Sequence, residues 1–148
     1  MPLPFTPRRL SLLFGLALAG TMAVAAEEAS DPAVRARIAL MKDLKASSAA
    51  LADMAAGKVP FDAAQAEAMI EALRSSADKV EPAFRARADD PASDALPDIW
   101  NAPSEFRQKA NKLVKTTMDL QGGSPDDLID GLQAVGAACK DCHGRFKM

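Results

Sequence analysis

From residue 31 onward, apolar residues recur at intervals of three and four, the period of an α-helix with one buried face. Four such stretches are legible, each bounded by residues that start or stop helices. The first opens at Asp31-Pro32, an N-cap residue followed by proline at the first helical position, and runs to about Ala56 before Gly57. Its stripe is Leu40, Leu44, Ser48, Leu51 and Ala55, with Val34, Ile38 and Met41 beside it. The second begins at Asp62, which forms a variant capping box with Gln65, and repeats through Met69, Ile70, Leu73, Ala77, Val80 and Phe84. Pro82 weakens its last turns. A polar segment rich in Asp, Ala and Pro then runs from Arg85 to Asp98, the longest irregular stretch expected, with Ile99 and Trp100 anchoring its end.

The third helix opens around Pro103-Ser104-Glu105, repeats at Phe106, Ala110, Leu113, Thr117 and Leu120, and ends at Gly122-Gly123. The fourth has the clearest start: Ser124 as cap, Pro125 at the first position, and Asp126 and Asp127 in the electropositive first turn. Its stripe is Leu128, Leu132, Val135, Cys139, Cys142 and Phe146. Abundant Ala, Leu and Met and few β-branched residues support helix throughout. Four amphipathic helices with short first and third links predict an all-α fold, an antiparallel four-helix bundle.

The N-terminal residues follow a different pattern. Arg8 and Arg9 precede an apolar run from Leu10 to Val24, and Ala23-Val24-Ala25 is a small-residue cleavage signal. The run is shorter than the ~20 residues of a spanning helix. Residues 1–26 are therefore expected to be a cleaved export signal, and 27–148 a single domain. Both leader arginines leave with it, so 16 Lys and Arg face 20 Asp and Glu, a net charge of −4. Such a chain has no basic stripe for nucleic acid and no second apolar segment for a bilayer. One Trp and no Tyr leave no aromatic platform.

The candidate chemistry sits at the other end. Cys139-Lys140-Asp141-Cys142-His143 contains the only two cysteines and the only histidine of the chain, in the C-x-x-C-H pattern that attaches a c-type haem. Positions i, i+3 and i+4 share one helix face, so two thiols and an imidazole address one object. The other readings are weaker. A structural zinc site needs four ligands, and three are present. A thioredoxin-like dithiol follows a strand, and no strand pattern precedes this one. A disulfide here would close a very short loop and constrain little. No acid–base pair or substrate pocket is legible, so an enzyme is not expected.

Taken with the motif, the chain resembles the cytochrome c′ and cytochrome c-556 family of bacterial haem proteins over essentially all of residues 27–148. The carrying segments are Arg37-Ile38-Ala39-Leu40-Met41-Lys42, Ala56-Gly57-Lys58-Val59-Pro60-Phe61-Asp62, Leu96-Pro97-Asp98-Ile99-Trp100 and Val135 to Lys147 with its C-terminal haem motif. The resemblance implies one haem c bound by thioethers at Cys139 and Cys142, with His143 as an iron ligand. It also implies a periplasmic location, transient contact with other redox proteins, and dimerisation through the first two helices, which is common in the family.

In that family the residue four places after the first-helix arginine faces the other side of the haem, and here it is Met41. The resemblance leaves two outcomes. In the c-556 type this methionine binds iron, giving a six-coordinate low-spin centre suited to electron transfer. In the c′ type the side chain only blocks that face, leaving a five-coordinate iron open to NO or CO. The Leu40-Met41-Lys42 context resembles c-556 more than c′. A methionine at helical spacing is otherwise simply core, the reading given to Met54, Met69 and Met118. Arg37, one turn before Met41, is a candidate for a haem propionate or else a solvated surface residue. Lys147, four after His143, either tunes the imidazole side or balances the helix C-terminus. Met148 is expected at a frayed end.

Overall fold

The computed structural model describes residues 29–148, and the proposed export signal lies outside them. Four long helices form, α1 (Pro32–Ala55), α2 (Ala63–Asp78), α5 (Pro103–Asp119) and α6 (Pro125–Phe146), with two single-turn helices between the middle pair, α3 (Val80–Ala83) and α4 (Asp98–Asn101). Each long helix packs against two others, in the cyclic order α1, α2, α5, α6. Neighbours run antiparallel: along α5 and α6, Glu105 meets Arg145 and Lys109 meets Asp141, while Leu120 beyond α5 meets Gly131. This is the expected all-α four-helix bundle. No helix among the described residues is long and apolar enough to cross a membrane.

The caps explain the boundaries. Asp31 accepts hydrogen bonds from the amides of Ala33 (2.7 Å) and Val34 (3.1 Å), with Pro32 following. Gly57 ends the first helix at φ +67°, a left-handed conformation that glycine adopts without a Cβ penalty. Asp62 accepts from the Gln65 amide at 2.9 Å, and Ser124 from the Asp127 amide at 3.2 Å. The second helix stops at Asp78, earlier than its apolar period suggests. Pro82 lacks an amide, and its ring would collide with the carbonyl of residue 78 in a continuous helix. The chain therefore restarts at Val80 as a separate turn.

Three expectations need correction. The buried stripe of α1 is Val34, Arg37, Leu40, Leu44, Ser47, Leu51 and Met54, so Ser47 replaces Ser48, while Ala55 packs half-buried against the core. Steps of three and four follow a seam between neighbouring helices, whereas repeated steps of four drift off it. Met118 is 64% exposed rather than core, because the buried positions Phe106, Ala110, Leu113 and Thr117 place it off the stripe. Met54 is buried and Met69 packs at the core edge as expected. Finally, α5 ends at Asp119, before the glycines. Arg74 of α2 donates from Nε to the Thr117 carbonyl (3.1 Å) and from Nη2 to the Leu120 carbonyl (3.0 Å), satisfying that helix end. Gly122 serves close packing instead: a Cβ there would sit 2.9 Å from Cδ1 of Ile70.

The core is apolar and continuous, with Leu51, Ile70, Leu73, Leu120 and Leu128 fully buried. Toward the C-terminal end of α6 it becomes aromatic. Phe84 and Phe106 lie 5.3 Å apart, and Phe106 and Phe146 meet edge to face at 5.4 Å. There the loop between α3 and α4 crosses the bundle end. Asp90 accepts from the Ser30 and Asp31 amides at 2.7 and 2.9 Å. Farther along, the Leu96 amide donates to the Phe146 carbonyl, and the Met148 amide to the Asp94 carbonyl, both at 2.9 Å. The same loop thus ties the start of α1 to the end of α6, and the backbone of Met148 is held rather than frayed, although its side chain is exposed.

Candidate haem-attachment site

The three motif residues occupy the last two turns of α6. Cys139 and Cys142 are unpaired thiols at the edge of the buried face, next to Val135 and Ala138, and His143 lies on the exposed side of the same edge. Burial pushes both thiol pKa values up, with Lys109 acting in the opposite sense on Cys142. Although His143 is exposed, neighbouring protein still desolvates the imidazole, and the Lys147 charge repels its proton. Both effects lower its pKa and favour the neutral form, the form that ligates metals. Among the described residues no cluster of three or more His, Cys, Asp or Glu forms a metal site by itself.

Arg37 and Met41 occupy successive turns of α1, which packs directly against α6. Met41 is half-buried and touches the same core that Cys139 and Cys142 border. Arg37 is 3% exposed, which removes the solvated-surface alternative. Its Nε donates to the Ala83 carbonyl at 2.9 Å and its Nη2 to the Ala86 carbonyl. The guanidinium stacks 4.9 Å from the Phe84 ring centroid and 5.4 Å from that of Trp100, whose own Nε1 donates to the Phe84 carbonyl at 2.8 Å. Nη1 is buried and has no partner. Burial lowers the Arg37 pKa, with Asp31 only partly offsetting it.

These details test whether the residues suit a haem. Two half-buried thiols and an exposed imidazole within the last two turns of α6 match the three attachment chemistries. A buried guanidinium with an unused donor and no acidic side chain in an ion pair is costly unless an anion meets it. A propionate is such an anion. The donor set therefore fits.

Sequence reasoning overlooked the ion pairs that frame the site. Arg145 is paired with both Asp98 and Glu105, which lowers the Asp98 pKa. Lys109 and Lys112 share Asp141 at 2.8 and 3.7 Å. Lys147 pairs with Asp94 at 2.8 Å, so it bridges to the loop as well as acting on His143. Each acid lies on a different element from the cation it meets, Asp94 on the loop, Asp98 on α4, Glu105 on α5 and Asp141 on α6, and no local spacing announces the pairs. Two surface depressions, one along Ser104 to Asn111 and one along Ala88 to Ala95, include none of the five candidate residues.

The family model described as Cytochrome C' matches residues 32–147. The chain is similar to cytochrome c-556 of Agrobacterium fabrum, with 29% identity over 93% of this chain and 92% of that one. Cytochrome c' of Alcaligenes xylosoxydans xylosoxydans is 33% identical over 62% of this chain and 73% of that one. A nitric oxide complex of a mutant cytochrome c prime from Alcaligenes xylosoxidans has a TM-score of 0.71 at 28% identity, covering 78% of this chain and 92% of that one.

Proposed function

The chain belongs to the cytochrome c′ family, whose members are haem c-type cytochromes of electron transfer or gas binding, and on that premise we propose that it is a periplasmic mono-haem electron carrier of the c-556 type. Cys139 and Cys142 would hold the porphyrin by thioethers, His143 and Met41 would ligate the iron, and Arg37 would meet a propionate. When bound, haem iron supplies a one-electron couple whose potential its ligands and burial set. The chain's part is to keep those ligands fixed. His143, whose pKa is lowered by burial and by the Lys147 charge, lies on a helix whose end is tied down through Arg145, Lys147 and the loop backbone. A thioether ligand that stays in place on reduction keeps rearrangement small. The redox partners would be other periplasmic proteins, met transiently, with no membrane span of this chain after signal cleavage.

The observation that carries this reading is the placement of Met41: half-buried against the core on a helix that packs on the cysteine-bearing α6, one turn from an orphaned buried arginine. The second reading, a five-coordinate haem that binds NO or CO behind a merely blocking Met41, is favoured by the nitric oxide complex among the similar structures. Visible and EPR spectra of the purified holoprotein separate the two. A low-spin ferric spectrum that becomes high-spin in Met41→Ala is expected. A high-spin ferric haem in the unaltered protein would overturn the His/Met assignment and favour the gas-binding one.

A further inference from the structure

Charge is distributed unevenly over this molecule. Residues 103–119 and 138–148 carry Arg107, Lys109, Lys112, Lys115, Lys140, Arg145 and Lys147 against Glu105, Asp119 and Asp141, a net +4. The remainder of residues 27–148 carries −8. The two positive segments are neighbours in space, because α5 packs antiparallel on α6 with Lys109 and Lys112 both reaching Asp141. One carboxylate between two ammonium groups leaves a positive surplus, and the Lys109 charge is felt at Cys142. On these two segments Arg107, Lys112, Lys115 and Lys140 are exposed, and the Arg107 charge is felt also at Glu81 of α3. Among the described residues Arg107 and Lys140 make no ion pair, while Lys115 is paired with Asp119 at 2.6 Å and Arg145 with Asp98 and Glu105.

Interleaved with those cations is a polar surface that includes the open depression lined by Ser104, Glu105, Arg107, Gln108 and Asn111. The exposed large apolar residues of these two segments are Met118 and the C-terminal Met148, one at each margin. A surface of this kind does not recognise an apolar partner. Its charge steers a carboxylate-rich one, and electrostatic complementarity governs encounter rate more than tight affinity. From these observations we infer that the α5 face together with the C-terminal half of α6, beside Cys142, is the docking surface for an acidic redox protein. The inference rests on the electron-transfer reading, and it names the side from which the electron is exchanged.

The overall charge of −4 makes the inference testable by sign. A body of that charge repels an anionic oxidant, so added salt should speed their reaction; docking at the +4 face makes added salt slow it. The test is one-electron oxidation of the dithionite-reduced holoprotein by ferricyanide, which gives ferric protein and ferrocyanide. The rate is expected to fall about tenfold between about 10 and 100 mM salt. The double variant Lys112→Glu, Lys140→Glu should abolish or reverse that slope. Lys58→Glu, at the opposite end of the bundle, should leave it unchanged. Unchanged Soret spectra would show that each variant is folded and loaded. A binding readout completes the test: a deca-glutamate peptide should shift the amide resonances around Arg107, Lys112 and Lys140, and a deca-lysine peptide should not. A rate that rises with salt, or shifts confined to other surfaces, would overturn the docking face. Neither result bears on the spin state, so failure here is distinct from failure of the His/Met assignment.

Discussion

Arg37 illustrates how much one side chain can reveal. Its guanidinium is buried among Phe84 and Trp100, bonded to two carbonyls, and left with one idle donor. Lysine in its place would lose the forked geometry that reaches both Ala83 and Ala86. Arg37→Lys is therefore expected to cost about 1–3 kcal/mol, read from the urea midpoint of unfolding. An unchanged midpoint would mean that the two carbonyl bonds contribute nothing. Asp90 is the other informative residue. Hydrogen bonds from the backbone of Asp31 and Ala92, and from Ser30, hold its pKa at about 2, against 3.8. A folded pKa below the unfolded one means that this contribution is complete above about pH 4. It is then lost as pH falls toward 2. The protection of the Ser30 and Asp31 amides, taken relative to the intrinsic exchange rate at each pH, should fall across that window in the unaltered protein. In Asp90→Ala, which offers no acceptor, the change should be absent because protection is already lost.

At the scale of elements, helix starts were readable from the chain and helix ends less so. Each N-cap that the sequence announced, at Asp31, Asp62 and Ser124, is made as a side-chain hydrogen bond. Ser124→Ala should accordingly cost about 1 kcal/mol in thermal unfolding, with the loss confined to α6 in exchange data. Ends depend on distant partners: Arg74 closes α5 from another helix, and nothing within residues 103–123 encodes that. Close approaches escape the sequence for the same reason. Gly131 looks like an ordinary mid-helix glycine, yet a Cβ there would lie 2.2 Å from Cδ1 of the fully buried Leu120. Gly131→Ala should therefore destabilise by about 1–3 kcal/mol through overpacking, despite alanine's better helix propensity. A stabilised variant would show that the α5–α6 junction can open without cost.

For the whole molecule, the bundle end near the motif is where several demands meet. One loop restrains the start of α1 and the end of α6, the aromatic residues Phe84, Phe106 and Phe146 stack beneath it, and an uncompensated arginine is buried beside them. In the proposed holoprotein the porphyrin supplies both the missing anion and apolar contact for two half-buried cysteines. The polypeptide without it should be loosely packed. Circular dichroism of Cys139→Ala, Cys142→Ala is expected to show lowered helicity and a broadened thermal transition. A haem-free variant with a sharp, native transition would contradict that dependence on haem.

Local rules were enough for the four helices, their caps and the grouping of two thiols with one imidazole, since turn spacing and first-turn hydrogen bonds involve residues only a few positions apart. The same rules misplaced Ser48 and Met118, because which face of a helix is covered depends on where its neighbours lie. They could not assign Asp94 to Lys147, Asp98 to Arg145 or Asp141 to two lysines, nor tell a buried Arg37 from a solvated one. Those outcomes rest on contacts between segments tens of residues apart, and they exist only after the chain has closed on itself.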